Sequence, residues 1–203
     1  MPARERLLRI ADELFYARGL HAVGIDEIIE KSGAAKATLY AHFPTKDDLI
    51  ASYLRQRSVR WRAHMAARLA EAPTSPIERI DTVFAILADG CGTPGFRGCP
   101  FINAAVEYPD PRHRASLAGS EHRQWILELF RSLVVEAKIR QPDRVAAQLA
   151  LLYDSAMVGT QMNRNPAAAS HARDVARILV EAALRPTTRR GRARSPRRLQ
   201  KRR

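Results

Sequence analysis

The chain has 203 residues, 46% of them hydrophobic, which is enough for one large domain or two small ones. We expect a cytosolic protein, because no apolar run approaches the roughly 18 residues of a membrane span and no charged-then-apolar leader opens the sequence. Two cysteines are too few for a disulfide scaffold or a self-contained zinc site. The formal net charge of +13 can be interpreted only once its distribution along the chain is known.

The first part of the chain has the spacing of a helix-turn-helix with one supporting helix. Apolar residues recur at helical intervals over residues 3–18, which predicts the supporting helix. The following stretch IDEIIEKSGAAKATLYAHFPTK predicts two short helices that meet at Gly33, where a helix end favours a residue free to adopt positive φ. Leu39 and Phe43 form an apolar i, i+4 pair in the second short helix, and Pro44 ends it.

The outward face of this second short helix suits an anionic partner. With Leu39 and Phe43 turned inward, Ala37 and Ala41 leave room for close approach to base edges. Hydrogen-bond donors to bases or phosphates are available on the same face and just after it, at Lys36, Thr38, Tyr40 and Lys46. No acidic residue lies between Ser32 and Lys46.

These residues also carry a family resemblance. The runs ADELFYARG and IDEIIEKSGAAKATLYAHFPTKDDL resemble the DNA-binding domain of the TetR family of transcriptional repressors. The resemblance implies that the second short helix enters the DNA major groove. It further implies base or phosphate contacts at Lys36, Ala37, Thr38 and His42, and phosphate anchoring by Tyr40 and Lys46. The chain departs from the family pattern at two cap positions. Members usually place Ser or Thr where this chain has Gly24, and often Ser where it has Ala35.

The rest of the chain predicts further helices. A long helix is predicted over residues 46–70, and the resemblance makes it the link between the DNA-binding head and the body. After the Pro-rich break AEAPTSPIER, a helix is predicted to residue 90, and PFINAAVEY follows a Gly-rich loop as a short helix. GFRGCPFINAAVEYPDP resembles the segment between the sixth and seventh helices in one subgroup of the family, where it covers the ligand cavity.

Three more helices are predicted over residues 112–137, 144–163 and 170–184. The last two are rich in small residues, which favours close packing and, with a second copy, a four-helix dimer interface. The predicted fold is therefore all-α with about nine helices. It comprises a three-helix DNA-binding domain at 1–46, a larger effector-binding and dimerisation domain at 47–185, and a tail at 186–203.

The tail holds much of the charge. It carries nine Lys or Arg and no acidic residue, so the preceding 185 residues have 25 basic against 21 acidic ones. We expect this segment to be disordered in isolation. It would either grip the DNA backbone nonspecifically or be a solvated extension with little effect.

The body is predicted to enclose an apolar cavity for a bulky effector. The predicted lining residues are Phe84, Leu87, Phe96, Phe101, Ile102, Trp125, Leu129, Tyr153, Met157 and Met162, with Asn103, Glu107, His122 or Gln161 as polar contacts. Each of these aromatic and Met positions could instead be ordinary core. Cys91 and Cys99 suggest a second hypothesis, an oxidant or electrophile sensor, because Gly residues flank Cys91 and Arg97 lies nearby.

The sequence does not favour an enzyme. It has no Gly-rich phosphate loop after a strand, no nucleophile elbow and no His and carboxylate cluster with metal-ligand spacing, so we expect no metal and no cofactor. The favoured interpretation is a dimeric repressor that binds a palindromic DNA operator and is released by a small apolar or amphipathic effector. The runner-up is a nonspecific nucleic-acid-binding protein driven by the basic tail.

Overall fold

The computed structural model describes residues 1–185, and within them the chain is all-α, as predicted. Over this range there are nine helices: α1 (Ala3–Arg18), α2 (Ile25–Ser32), α3 (Lys36–His42), α4 (Lys46–Ala70), α5 (Pro76–Cys91), α6 (Pro100–Glu107), α7 (Arg114–Glu136), α8 (Pro142–Asn163) and α9 (Ala167–Leu184). None of these helices combines the length and apolar character that a membrane-spanning segment needs. The predictions for the tail lie outside the described residues.

Helices α1 to α3 form the predicted DNA-binding head around a small apolar core. Leu7 of α1, Ile28 of α2 and Leu39 of α3 are fully buried, and Phe43 closes the end of α3. Gly33 ends α2 in the left-handed region at φ 63°, a conformation in which a side chain would be strained. The turn thus sets α3 against α1 and α2.

Helix α4 continues directly from the head into the body. Thr45 and Asp48 form a capping box at its start, in which each side chain accepts from the other's backbone N–H. Leu49 and Tyr53 in its first turns are buried with Phe15 of α1, and the Phe15 and Tyr53 ring centroids are 5.5 Å apart. The first turns of α4 therefore share the core of the head, and the predicted boundary at residue 46 falls inside a continuous apolar contact.

The body packs α5 to α9 around the far part of α4. Helices α8 and α9 pack along each other, α7 lies between α4 and α8, α5 contacts α9, and α6 lies on α7. Three predicted helix starts were shifted. Helix α7 begins two residues later because Asp110 forms a turn with Arg112, whereas α8 and α9 begin earlier, each with a proline at or just before its first residue.

Candidate DNA-binding surface and effector cavity

Helix α3 presents its predicted DNA-contacting residues to solvent. Lys36, Ala37, Tyr40 and His42 are exposed and Thr38 is half-buried, while the intervening Leu39 is fully buried. The Lys36 ammonium is 3.3 Å from a carboxylate oxygen of the exposed Asp26 on α2. Exposed pairs of this kind are weak, so Lys36 can exchange Asp26 for a phosphate or base.

Both short head helices begin without a side-chain cap. The residues at the cap positions, Gly24 before α2 and Ala35 before α3, have the extended backbone typical of capping residues but no hydroxyl to accept the free N–H groups. The amide groups at the start of α3 consequently stay open to solvent or to an anion.

Lys46 is the first residue of α4 and is half-buried. A lysine that reaches a phosphate without hindrance would instead have an exposed amine. Burial lowers the pKa of its ammonium, and the nearby carboxylates of Glu107 and Asp47 oppose that shift. Phosphate anchoring by Lys46 stays a prediction.

Glu107 joins the head to the body. The prediction that it lines the main cavity, described below, is wrong. Its two carboxylate oxygens accept from the backbone N–H groups of Leu20, at 2.9 Å, and His21, at 2.7 Å. The imidazole of His21 also lies 2.9 Å from the backbone carbonyl of Glu107 and stacks on Tyr108. The Glu107 carboxylate therefore accepts hydrogen bonds from two backbone N–H groups of the loop between α1 and α2.

The start of α4 is held to the body by α7. The His113 imidazole is 3.1 Å from the Asp47 carboxylate, and the Arg114 guanidinium contacts Asp48. His113 also stacks on Tyr108 with centroids 4.0 Å apart. Because only three residues separate α3 from α4, these contacts connect the body to the end of the candidate DNA surface.

A cavity of about 540 Å³ lies where the head and body meet. This volume is in the range of small-molecule sites. Six of the predicted ligand residues line it: Leu87, Phe96, Phe101, His122, Tyr153 and Met157. The indole N–H of Trp61 on α4 donates to the Tyr153 hydroxyl at 2.9 Å and fixes one side of the cavity.

The other predicted ligand residues do not line this cavity: Phe84, Ile102, Asn103, Glu107, Trp125, Leu129, Gln161 and Met162. Phe84 is fully buried against Phe130 and Tyr153 and serves as core. The Trp125 ring is covered by Arg62 at 5.2 Å. Asn103 donates to the Arg97 carbonyl at 3.0 Å and so stabilises the loop before α6. For these residues the helical spacing predicted burial on the inner face, but not which inner residues border a void.

His122 separates the main cavity from a second one of about 280 Å³ and lines both. Its ring stacks on Phe101 with centroids 3.8 Å apart, and its Nδ1 lies 2.9 Å from the Ser58 hydroxyl. Burial, with a smaller contribution from the nearby Arg62, lowers the pKa of His122 to about 4. The imidazole is therefore neutral at neutral pH and adds no charge to the cavity. Ile102 lines the second cavity.

The sequence did not indicate that head residues line the cavity. Asp12 and Tyr16 of α1 face it, together with Arg57 and Arg60 of α4. The Asp12 carboxylate contacts both guanidinium groups, and the Arg57 guanidinium lies 3.9 Å above the Tyr16 ring. The only signal was an acidic residue on the otherwise apolar inner face of the first helix, which predicts a buried ion pair but not its partners.

The two cysteines are buried in the same cavity and are poorly suited to thiolate chemistry. Burial raises the pKa of both the Cys91 and the Cys99 thiol, so the predicted increase in thiolate character from Arg97 is wrong. Over residues 1–185, no three His, Cys, Asp or Glu side chains come together as a metal site would require.

Comparison with known proteins gives the family. The family model of the tetR family of bacterial regulatory proteins matches residues 7–53. The transcriptional regulator LmrA of Bacillus subtilis is 35% identical over 143 residues, which cover 68% of this chain and 72% of LmrA. A TetR-family regulator of Streptomyces coelicolor is 35% identical, with a TM-score of 0.83 over 89% of this chain and 95% of that one. A regulator of Streptomyces avermitilis is 29% identical, with a TM-score of 0.80 over 90% of this chain and 98% of that one. These relatives are transcriptional regulators, and the chain belongs to the TetR family.

Proposed function

We propose that this protein is a cytoplasmic repressor that binds a palindromic DNA operator as a homodimer and leaves it when a small apolar or amphipathic molecule occupies the cavity. The observation that carries the proposal is the composition of the cavity wall, to which α1 of the head and α4 to α8 of the body all contribute. A ligand there touches both the head and the body. It can therefore favour one position of the head over another, with a coupling of about 1 to 3 kcal/mol.

An exposed apolar surface supports dimerisation through α8 and α9. Leu151 and Met162 on α8 are 60% and 78% exposed, and Ile178 on α9 is 65% exposed. Large apolar side chains left exposed on two helices that pack along each other favour an interaction site there. A second copy on this surface would give the two-fold protein that a major-groove reader needs to span half-sites about 34 Å apart.

A salt titration of DNA binding tests the proposal. DNA from beside the protein's own coding region is compared with shuffled DNA, using the full chain and a chain ending at Leu184. We expect both proteins to prefer the native fragment by about a thousandfold, the range of specific readers.

If truncation abolishes binding and neither protein discriminates on DNA selected from random sequences, the repressor proposal fails and nonspecific binding through the tail is favoured. The dimer is tested separately by sedimentation of Ile178→Glu, with the exposed Val59→Glu on α4 as a control. We expect only the first substitution to give monomers.

A further inference from the structure

The charges in the main cavity do not balance. Two arginines, Arg57 and Arg60, line it with one acidic side chain, Asp12. His64 and His122 also line it, and the lowered pKa of His122 keeps that ring uncharged at neutral pH. Most of the remaining lining is apolar or aromatic, including Trp61 and Phe96. A site of this composition favours a molecule with one negative charge and a large apolar part.

The two guanidinium groups keep donors available for an added anion. The Nε of Arg57 contacts one Asp12 oxygen and an Nη of Arg60 contacts the other, so each group binds Asp12 through a single nitrogen. A guanidinium has five N–H donors in a planar fork that matches a carboxylate. The Arg60 side chain is 54% exposed, which gives it freedom to turn toward a ligand, whereas Arg57 is held against the Tyr16 ring.

The anion site is also a contact between the head and the body. Asp12 lies on α1 and its two partners lie on α4, so this ion pair attaches the supporting helix of the head to the long helix that enters the body. A second contact runs beside it, because the Tyr16 hydroxyl donates to the Gly98 carbonyl at 3.1 Å and accepts from the Arg97 N–H at 2.9 Å. A carboxylate on Arg60 would compete with Asp12 and weaken the attachment of α1.

We infer that the effector is an amphipathic carboxylic acid, whose carboxylate binds Arg60 and draws it from Asp12 while its apolar part lies against Trp61 and Phe96. The inference rests on the proposed function and names the effector class and the residues that couple it to the head. A neutral molecule of the same shape would fill the apolar part of the cavity but leave the contact between α1 and α4 intact.

Matched pairs of acid and amide test the inference. Decanoic acid is compared with decanamide, and cyclohexanebutanoic acid with its primary amide, at neutral pH. Binding is followed by the fluorescence of Trp61 in the full chain carrying Trp125→Phe, which leaves this cavity residue as the only tryptophan. We expect each acid to bind about tenfold or more tightly than its amide, as charge-assisted bonds do relative to neutral ones.

Two variants show whether Arg60 is responsible for the preference for the acid over the amide. Arg60→Gln is expected to remove the preference for the acid, and Arg55→Gln is expected to keep it. Arg55 is a matched control because it lies on the same helix, is 56% exposed and pairs with Glu121 outside the cavity. Binding of acids and amides with equal affinity, binding of neither, or an acid preference that survives Arg60→Gln would each overturn the inference.

The DNA measurement separates this inference from the proposed function. In the same preparations, decanoate should weaken operator binding by the parent chain on the order of tenfold and should have little effect on Arg60→Gln. Specific operator binding without an acid preference rejects the inference and leaves the repressor proposal standing. An acid preference at Trp61 without specific DNA binding supports the effector class and rejects the repressor proposal.

Discussion

The candidate DNA-binding helix α3 and the candidate effector cavity differ in how far apart in sequence their residues lie. The predicted DNA contacts all come from residues 36–46, on α3 and at the first position of α4. The cavity, in contrast, gathers residues from Asp12 to Met157, which belong to six helices and one loop. Helical periodicity alone separates the buried and exposed faces of α3, whereas only the packing of distant helices defines the cavity.

This difference has a mechanical consequence. In α3, Leu39 is buried, Thr38 is half-buried and Tyr40 is exposed, so the residue that holds the helix differs from those predicted to contact DNA. In the cavity, Asp12 and Tyr16 both line the space and attach the head to the body. A ligand can therefore act on the head through side chains it touches, and no long chain of intermediate contacts is needed.

The largest contrast is expected from truncating one packed residue in each region. Leu39→Ala should lower the free energy of unfolding by about 2 to 5 kcal/mol, since Leu39 is fully buried and leaves an empty space in a small core. Met157→Ala should cost less, because one side of Met157 already borders the cavity. Urea unfolding followed by circular dichroism measures both, and equal losses would contradict the distinction between a filled and an open core.

The next effect is a loss of folding stability at acidic pH, caused by His122 in the wall between the two cavities. The pKa of His122 is lowered from 6.5 to about 4 in the folded chain, so the unfolded chain binds the extra proton first as pH falls. The stability contributed by neutral His122 is complete above about pH 6.5 and is lost as pH falls toward 4, by about 3 kcal/mol in all.

Unfolding curves across that pH window check the prediction with His122→Asn and the exposed His171→Asn as a control. Only His122→Asn should flatten the pH dependence. If it keeps the slope of the parent chain, the buried imidazole is not the source.

The sequence was sufficient to predict the head and the helical architecture. Gly33, Leu39 and Phe43 determine the helix-turn-helix through local spacing, and the structure has α2 and α3 where that spacing predicted them. Local capping was less visible: Asp48 completes the capping box that starts α4, and His113 caps α7 through its side chain. Both depend on side-chain orientation, which periodicity does not give.

The cavity could be predicted only in part, for a physical reason. Apolar spacing correctly placed Phe84 and Tyr153 on inner faces, but a void depends on which inner faces fail to meet. Glu107 shows the same limit for polar residues, because its partners are backbone amides of the head, 86 and 87 residues away. Asp12 and Arg57 are separated by 45 residues, and nothing local indicates that they pair.

Smaller effects on DNA affinity are expected for substitutions of single predicted contacts. They separate phosphate anchoring from base reading among the residues of α3 and the first residue of α4. Tyr40→Phe and Lys46→Ala should each weaken binding to every DNA sequence alike, by about 1 kcal/mol. Lys46→Ala should also reduce the salt dependence by about one counterion. Lys36→Ala should in addition reduce the preference for operator over random DNA, if Lys36 leaves Asp26 to bind a base. Equal losses on both DNAs for all three variants would exclude base reading by Lys36.

The smallest effect is a gain, and it comes from restoring the hydroxyl caps that the head lacks. Ala35 has φ −70° and ψ 149°, the extended backbone of a capping residue, so Ala35→Ser should stabilise α3 by about 1 kcal/mol. Gly24→Ser should stabilise α2 by only a few tenths of a kcal/mol, because glycine is itself tolerated at a cap. A side chain at residue 24 would meet no atom within 4 Å. Thermal unfolding of the two variants measures the difference in stability. DNA titration of Ala35→Ser then shows whether a cap that occupies free amide groups at the start of α3 tightens binding by ordering the helix, or weakens it because a phosphate uses those same groups.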